Sequence, residues 1–255
     1  MRNVRIISRL DIKGHNLVKG VQLEGLRKIG DPNTIALEYY NSGIDEVIYM
    51  DIVASLYDRN SLDDIIIRTT QELFVPITVG GGIRSIEDGR RILKSGADKL
   101  AVNTAAIKNP QLITMLSQEF GSQAMVLSIE AKRTHWGWEA YYDNGREKTG
   151  IDAIEWAIEA ERLGAGELLV TSVDQEGSRK GFDIPLIKAI TDSVRIPVIA
   201  SGGAGSVDQI VRLVKETNVD AIALASLLHY KLVEISEIKS SLLAHGIEVR
   251  ERYEK

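Results

Sequence analysis

Cysteine is absent from this 255-residue chain, which excludes disulfides and thiolate metal sites. Histidine is scarce. His15, His135, His229 and His245 stand far apart without the spacing of a ligand set, so no metal or other cofactor is expected. Positive charge is not in excess either. A net charge of −5 gives no electrostatic reason to expect nucleic acid or an acidic membrane surface as a partner. No apolar run approaches membrane-spanning length, and Met1 to Ile7 enters a strand pattern without a signal-peptide core. These absences point to a cytoplasmic enzyme or scaffold. What remains is ordinary globular material, with 44% hydrophobic and 26% charged residues, long enough to bury a substantial core.

Glycine, by contrast, is placed with a pattern. Pro76-Ile-Thr-Val-Gly-Gly-Gly-Ile-Arg-Ser85 recurs 121 residues later as Pro197-Val-Ile-Ala-Ser-Gly-Gly-Ala-Gly-Ser206. Each copy reads as a strand, a glycine turn and a helix N-terminus capped by Ser85 or Ser206. Glycine lets backbone approach a ligand without a Cβ in the way, and the N–H groups of a following helix attract an anion. One such turn is equally well a mere strand-to-helix connection; two copies half a chain apart favour a pair of phosphate cradles.

The rest of the chain alternates in the same way. Strand patterns at Val4–Asp11, Glu46–Asp51, Ile77–Val79, Lys99–Val102, Ala124–Glu130, Glu167–Ser172, Pro197–Ala200 and Asp220–Leu224 are each followed by a helical segment. Helix starts are marked at Asp31-Pro32, at Ser61-Leu-Asp-Asp64 as a capping box, at Asn109-Pro110, Asp152 and Asp183, with a last helix from about Ser236 to His245. Eight such units imply parallel pairing and match a closed (β/α)8 TIM barrel, with an open doubly wound sheet as the rival. Asp11 also aligns with Glu130, and Ala101-Val-Asn-Thr-Ala with Ala223-Leu-Ala-Ser, so the expectation is one barrel over residues 1–255 with half-barrels of about 1–122 and 123–255.

Two connections are long, and both leave strand C-termini, where barrel active sites lie. Ile12 to Gly30, with Gly14, Gly20, Gly25, Lys13 and Lys19, reads as a mobile flap. Lys132 to Gly150 reads as a β-hairpin turning at Asp143-Asn-Gly145. Alternation puts Arg5, Ile7, Arg9 and Asp11 on one inward face of the first strand, and Val126, Ser128 and Glu130 on that of the fifth. Asp11 and Glu130 then face each other across the mouth, an arrangement suited to general acid–base work, although strand-end carboxylates also serve merely to cap N–H groups. At the opposite end Arg5, Glu46, Lys99 and Glu167 can meet as a ring of alternating charge, which by itself reads as a salt-bridged plug.

The chain resembles the HisF family, the cyclase subunits of imidazole glycerol phosphate synthase. The resemblance runs end to end through Leu10-Asp-Ile-Lys13, Asn16-Leu-Val-Lys-Gly20, Gly30-Asp-Pro32, Val79-Gly-Gly-Gly-Ile83, Asn103-Thr-Ala-Ala106, Gly121-Ser-Gln123, Ala131-Lys-Arg133, Gly164-Ala-Gly-Glu167, Thr171-Ser172 and Ala200-Ser-Gly-Gly-Ala-Gly205. It implies a glutaminase subunit at the N-terminal face of the barrel. Ammonia from that partner would travel through the barrel to a ribulosyl aminoimidazole carboxamide nucleotide carrying a phosphate at each end. The products would be imidazole glycerol phosphate and the carboxamide ribonucleotide. By the same match Asp11 and Glu130 are catalytic. Gly82, Asn103 and Thr104 hold one phosphate; Gly203, Ala225 and Ser226 hold the other; Thr171 lies in the substrate site. Lys19 closes the flap, and Arg5, Glu46, Lys99 and Glu167 form a gate for ammonia rather than a plug.

Three positions depart from the family. Glu130 and Glu176 stand where the family has aspartate, and Arg9 where it has a small residue. An extra methylene misplaces a carboxylate by about 1 Å, enough to cost on the order of a hundredfold in rate, so Glu130→Asp is expected to raise activity. Arg9 points inward just below Asp11, where it could pair with Glu130 and hold it ionised. Such changes also fit a relative that delivers ammonia for sugar amidation in surface-polysaccharide synthesis, or a non-catalytic barrel that activates a glutaminase. The neighbouring isomerase of the pathway, also a two-phosphate barrel, fits less well because the charged ring is present. His229 and His245 are expected at the surface.

Overall fold

The computed structural model describes residues 3–54 and 62–251. Strand β1 (Arg5–Lys13) leads into an antiparallel excursion of β2 (Asn16–Val21) and β3 (Glu24–Gly30), then α1 (Pro32–Asn41) and β4 (Glu46–Asp51). Next come α2 (Asp63–Thr70), β5 (Ile77–Gly80), α3 (Ile86–Lys94), β6 (Lys99–Val102) and the consecutive helices α4 (Thr104–Lys108) and α5 (Gln111–Phe120). β7 (Met125–Arg133) carries a second excursion, β8 (Trp138–Tyr142) and β9 (Glu147–Asp152). The chain continues through α6 (Ala153–Leu163), β10 (Glu167–Ser172), α7 (Ile184–Ser193), β11 (Val198–Ser201), α8 (Val207–Glu216), β12 (Ala221–Leu224), α9 (Ser226–His229) and α10 (Ile235–Ala244).

β1, β4, β5, β6, β7, β10, β11 and β12 pair in that order, all parallel. β12 then pairs with β1 from Arg5 opposite Ala221 to Ser8 opposite Leu224. That last ladder closes the (β/α)8 barrel and excludes the open sheet.

Local chemistry sets the helix starts. The Asp31 carboxylate accepts from Thr34 N at 2.9 Å, with Pro32 supplying a fixed φ. Ser85 and Ser206, the equivalent residues of the glycine repeat, accept from Asp88 N and Gln209 N. Asp152 and Asp183 cap α6 and α7 in the same way. Ser61 lies outside the described residues, so the capping box expected there has no counterpart among them.

Strand alternation divides the core in two. Ile6, Leu10 and Ile12 of β1 point outward and join the large cluster under the helices. Ile7 points inward to meet Ile48, Val126, Leu169, Ile199 and Ala221 inside the barrel. The inner layer is therefore a packed belt, with Arg5 below it and Arg9 and Asp11 above it on the same face of β1.

Both long connections are ordered sheet. The hairpin expected over 132–150 is β8–β9, turning at Asp143 (φ 49°), Asn144 (φ 59°) and Gly145 (φ 73°). The expected flap over 12–30 is an antiparallel ribbon, β1–β2–β3, with Lys19 2% exposed. Gly14 is a turn residue, whereas Gly20, Gly25 and Gly30 lie in the two strands. A Cβ on Gly20 would lie 2.1 Å from the Glu24 carbonyl oxygen, so the hairpin closes tightly only because none is there.

Candidate active site

The two glycine turns emerge from β5 and β11 with matching backbone conformation, Gly81 at φ 99° and Gly82 at 73°, Gly202 at 95° and Gly203 at 104°. A Cβ on Gly81 would stand 2.3 Å from Asp51 O, and one on Gly203 2.0 Å from Gly181 O. Each turn is thus fixed by positive φ and by backbone crowding together. Beside them the short helices α4 and α9 begin after Asn103 (φ −130°, ψ −83°) and Ala225 (φ −128°, ψ −84°), neither with a side-chain cap. Their first N–H groups are thus not taken up by a cap side chain. Sequence reading missed both helices, since Asn103-Thr-Ala-Ala106 and Ala225-Ser-Leu-Leu228 are too short to show a helical period.

The two cradles differ in room. Gly81, Gly82, Asn103 and Thr104 line a cavity of about 380 Å³ that also touches Arg9 and Glu130. The space among Gly202, Gly203, Ala225 and Ser226 is only about 10 Å³. Glu176 and Gly177, which line the smaller space, pack against the β2–β3 ribbon. Gln22 N donates to Glu176 O at 2.8 Å, and Gly177 packs so close to the Gly20 carbonyl that a Cβ would stand 2.6 Å from it. Lys19 sits beneath this contact, its Nζ bonded to Glu176 and 3.7 Å from Asp11 Oδ2.

Between the cradles the two carboxylates occupy unlike environments. Asp11 accepts from Arg9 Nε at 2.9 Å. Burial would raise its pKa, but Arg9 and Lys19 outweigh burial and hold it below the usual carboxylate range. Glu130 accepts from Asn103 Nδ2 at 2.9 Å and Gly145 N at 2.8 Å. Burial dominates there and pushes it up to about 7. The expected Arg9–Glu130 pair does not form: Arg9 spends Nε on Asp11 and Nη1 on Thr171 Oγ1 (2.8 Å) and Ser201 Oγ (3.3 Å). Asp11 lies two residues away on its own strand face, which is why it wins. One carboxylate is thereby kept ionised and the other left close to half protonated near neutrality, a division suited to acid–base chemistry.

His229 was expected at the surface and is instead half-buried behind this network. Its Nε2 donates to Arg9 O at 3.1 Å and its Nδ1 accepts from Tyr39 Oη at 2.7 Å. Burial and the nearby Lys19 hold its pKa down at about 4, so the ring is neutral. No sequence signal marks it, because Tyr39 is 190 residues away. Thr78 was also missed. Ile77 and Val79 join the outer core, so Thr78 faces the interior, where its buried hydroxyl has no partner among the described residues.

At the N-terminal end Arg5, Glu46, Lys99 and Glu167 each open a strand, and they meet as the expected ring. Arg5 reaches Glu46 and Glu167 at 2.5 Å each, and Lys99 reaches the same two carboxylates at 3.2 and 2.8 Å. Each carboxylate accepts from both cations, which offsets the desolvation of four charges around one axis.

A closed (β/α)8 barrel with two carboxylates of unlike environment at its mouth defines the class. Sequence comparison supplies the family. Residues 5–234 match the family described as histidine biosynthesis protein. The chain is 60% identical over 210 residues to imidazole glycerol phosphate synthase subunit HisF of Legionella pneumophila, spanning 82% of this chain and 99% of that protein. It is 47% identical over 252 residues to the subunit of that name in Lactococcus lactis subsp. cremoris (strain SK11), covering 98% and 97% of the two chains. Against that of Nostoc sp. (strain PCC 7120 / SAG 25.82 / UTEX 2576) the identity is 45% over 254 residues, with 98% of each covered. The chain belongs to the histidine biosynthesis protein family and, within it, to the HisF subunits.

Proposed function

We infer that this chain is the cyclase subunit of imidazole glycerol phosphate synthase in histidine biosynthesis, acting in the cytoplasm on the two-phosphate ribulosyl aminoimidazole carboxamide nucleotide. The observation that carries the reading is the carboxylate pair, Asp11 held below the usual range and Glu130 pushed up to about 7, set between two glycine turns. Asp11 takes protons from the incoming ammonia and Glu130 supplies one to the leaving oxygen. The Gly82, Asn103 and Thr104 cradle, already open, takes one phosphate. The Gly203, Ala225 and Ser226 cradle takes the other once the β2–β3 ribbon lifts and Lys19 exchanges Glu176 for the ligand.

Ammonia comes from a glutaminase subunit docked on the N-terminal face, entering when one arm of the Arg5–Glu46–Lys99–Glu167 ring swings aside and passing Thr78. Phe74 supports that docking face. It is 78% exposed in the loop before β5, between the strands that carry Glu46 and Lys99. A large aromatic at such a place is a typical anchor for a partner. Phe74→Ala is expected to weaken capture of the glutaminase about 30-fold, roughly 2 kcal/mol, while turnover with added ammonium stays at the parent level. Undiminished binding of the glutaminase in calorimetry would remove Phe74 from the interface.

The test of the function is steady-state turnover of the two-phosphate nucleotide by the purified barrel with excess ammonium. A kcat in the ordinary enzymatic range, about 1 s⁻¹ or above, is the expected result. No turnover from a folded barrel that still binds a glutaminase would move the chain to ammonia delivery for another acceptor.

A further inference from the structure

Arg9 is the largest side chain buried in the barrel mouth and is only 2% exposed. Its Nε and Nη1 are committed to Asp11, Thr171 and Ser201. Among the described residues no hydrogen bond engages Nη2, and Arg9 lines the cavity of about 380 Å³ together with Glu130. A guanidinium held by three groups is a fixed fork whose free prong is aimed without further ordering.

Resting on the cyclase reading above, we propose that Arg9 is itself catalytic: its Nη2 donates to the carbonyl oxygen at the centre of the two-phosphate ketose and stabilises the charge that gathers there when ammonia adds. The ammonia lone pair forms the new C–N bond, and the π pair of the C=O bond moves onto oxygen, where Nη2 meets it. Asp11 removes a proton from nitrogen and Glu130 delivers its own to oxygen, leaving a neutral carbinolamine. As the oxygen becomes negative, the guanidinium is shared between it and Asp11. Its hold on Asp11 loosens, so the carboxylate becomes a better base at the moment a proton must be taken. Donors preorganised in a buried site are worth more than the same donors in water, because nothing has to reorient during the reaction.

The decisive variant is Arg9→Lys, which keeps a cation beside Asp11 but cannot hold Asp11, Thr171 and a ligand oxygen together. Turnover with ammonium is expected to fall about 10²-fold in kcat, with KM for the nucleotide changing far less. In Arg9→Ala, low concentrations of guanidinium ion are expected to restore part of the lost kcat; a residue that only braced the fold would show no such rescue. Arg9→Lys turning over within about threefold of the parent chain would overturn the proposal, whatever becomes of Arg9→Ala. If the parent chain binds the nucleotide without converting it, the cyclase reading fails alone, and Arg9 is then judged by calorimetry. Clearly weaker nucleotide binding in Arg9→Lys keeps the contact, and equal binding removes it. A parent chain that neither converts nor binds the nucleotide overturns both.

Discussion

Asp11→Asn is expected to lower ammonia-dependent turnover by about 10³-fold or more, within the range general-base catalysis supplies. The amide preserves the shape of the side chain but cannot take a proton. It also removes the anion that Arg9 Nε meets at 2.9 Å and Lys19 Nζ at 3.7 Å, leaving buried positive charge partly uncompensated. A stability loss of about 3 kcal/mol is expected beside the loss of rate, in keeping with breaking a buried ion pair on one side. The two effects separate experimentally. Turnover is measured on the folded variant, and stability by denaturant titration. A folded Asp11→Asn barrel turning over within tenfold of the parent chain would remove Asp11 from the chemistry, even if its stability fell as expected. Asp11 also sets an acid limit to stability: its pKa is held down in the fold, so the stabilisation it provides is present above the ordinary carboxylate range and lost as the pH falls through it.

Glu130 behaves in the opposite sense. Its pKa rises from 4.5 to about 7 on folding, so between those values the folded chain binds more protons than the unfolded one and stability declines as the pH rises. The full span corresponds to about 3 kcal/mol, by 1.36 kcal/mol per unit. Glu130→Gln is expected to abolish that slope. In activity, the rate per unit of free ammonia falls as Glu130 ionises above about pH 7. Glu130→Gln is expected to lose about 10²-fold in kcat and to show no such limb. A limb that persists in Glu130→Gln would assign it to another group.

The aspartate variant reverses its expected sign once the geometry is known. Read from the sequence, Glu130 is an aspartate with a methylene too many. In the fold its carboxyl is seated by Asn103 Nδ2 and Gly145 N, the latter on the β8–β9 hairpin. Shortening the side chain withdraws it from both donors by about 1 Å, and displacement of that order costs on the order of a hundredfold. Glu130→Asp is therefore expected to lower turnover, measured with ammonium at neutral pH.

What the sequence determined by itself follows from local and periodic chemistry. The barrel was legible because strands and helices differ in hydrophobic period and because Asp31, Ser85, Asp152, Asp183 and Ser206 mark helix starts by a bond made within their own turn. The two glycine turns, the inward parity of Arg5, Arg9 and Asp11, and the four charges that meet as a ring needed only the side-chain alternation of a strand. Tertiary structure decided whatever depends on which of several reachable partners a group takes. Arg9 turns to Asp11 rather than Glu130, Lys19 is buried against Glu176 in an ordered ribbon, and His229 is placed behind Arg9 by Tyr39. It also left one cradle with about 380 Å³ and its counterpart with about 10 Å³, although both are built on the same glycine pair. The physical reason is that desolvation and competition among charges depend on everything packed around a group, and several of those neighbours, such as Thr171 and Ser201 beside Arg9 or Glu176 beside Lys19, are more than a hundred residues away along the chain.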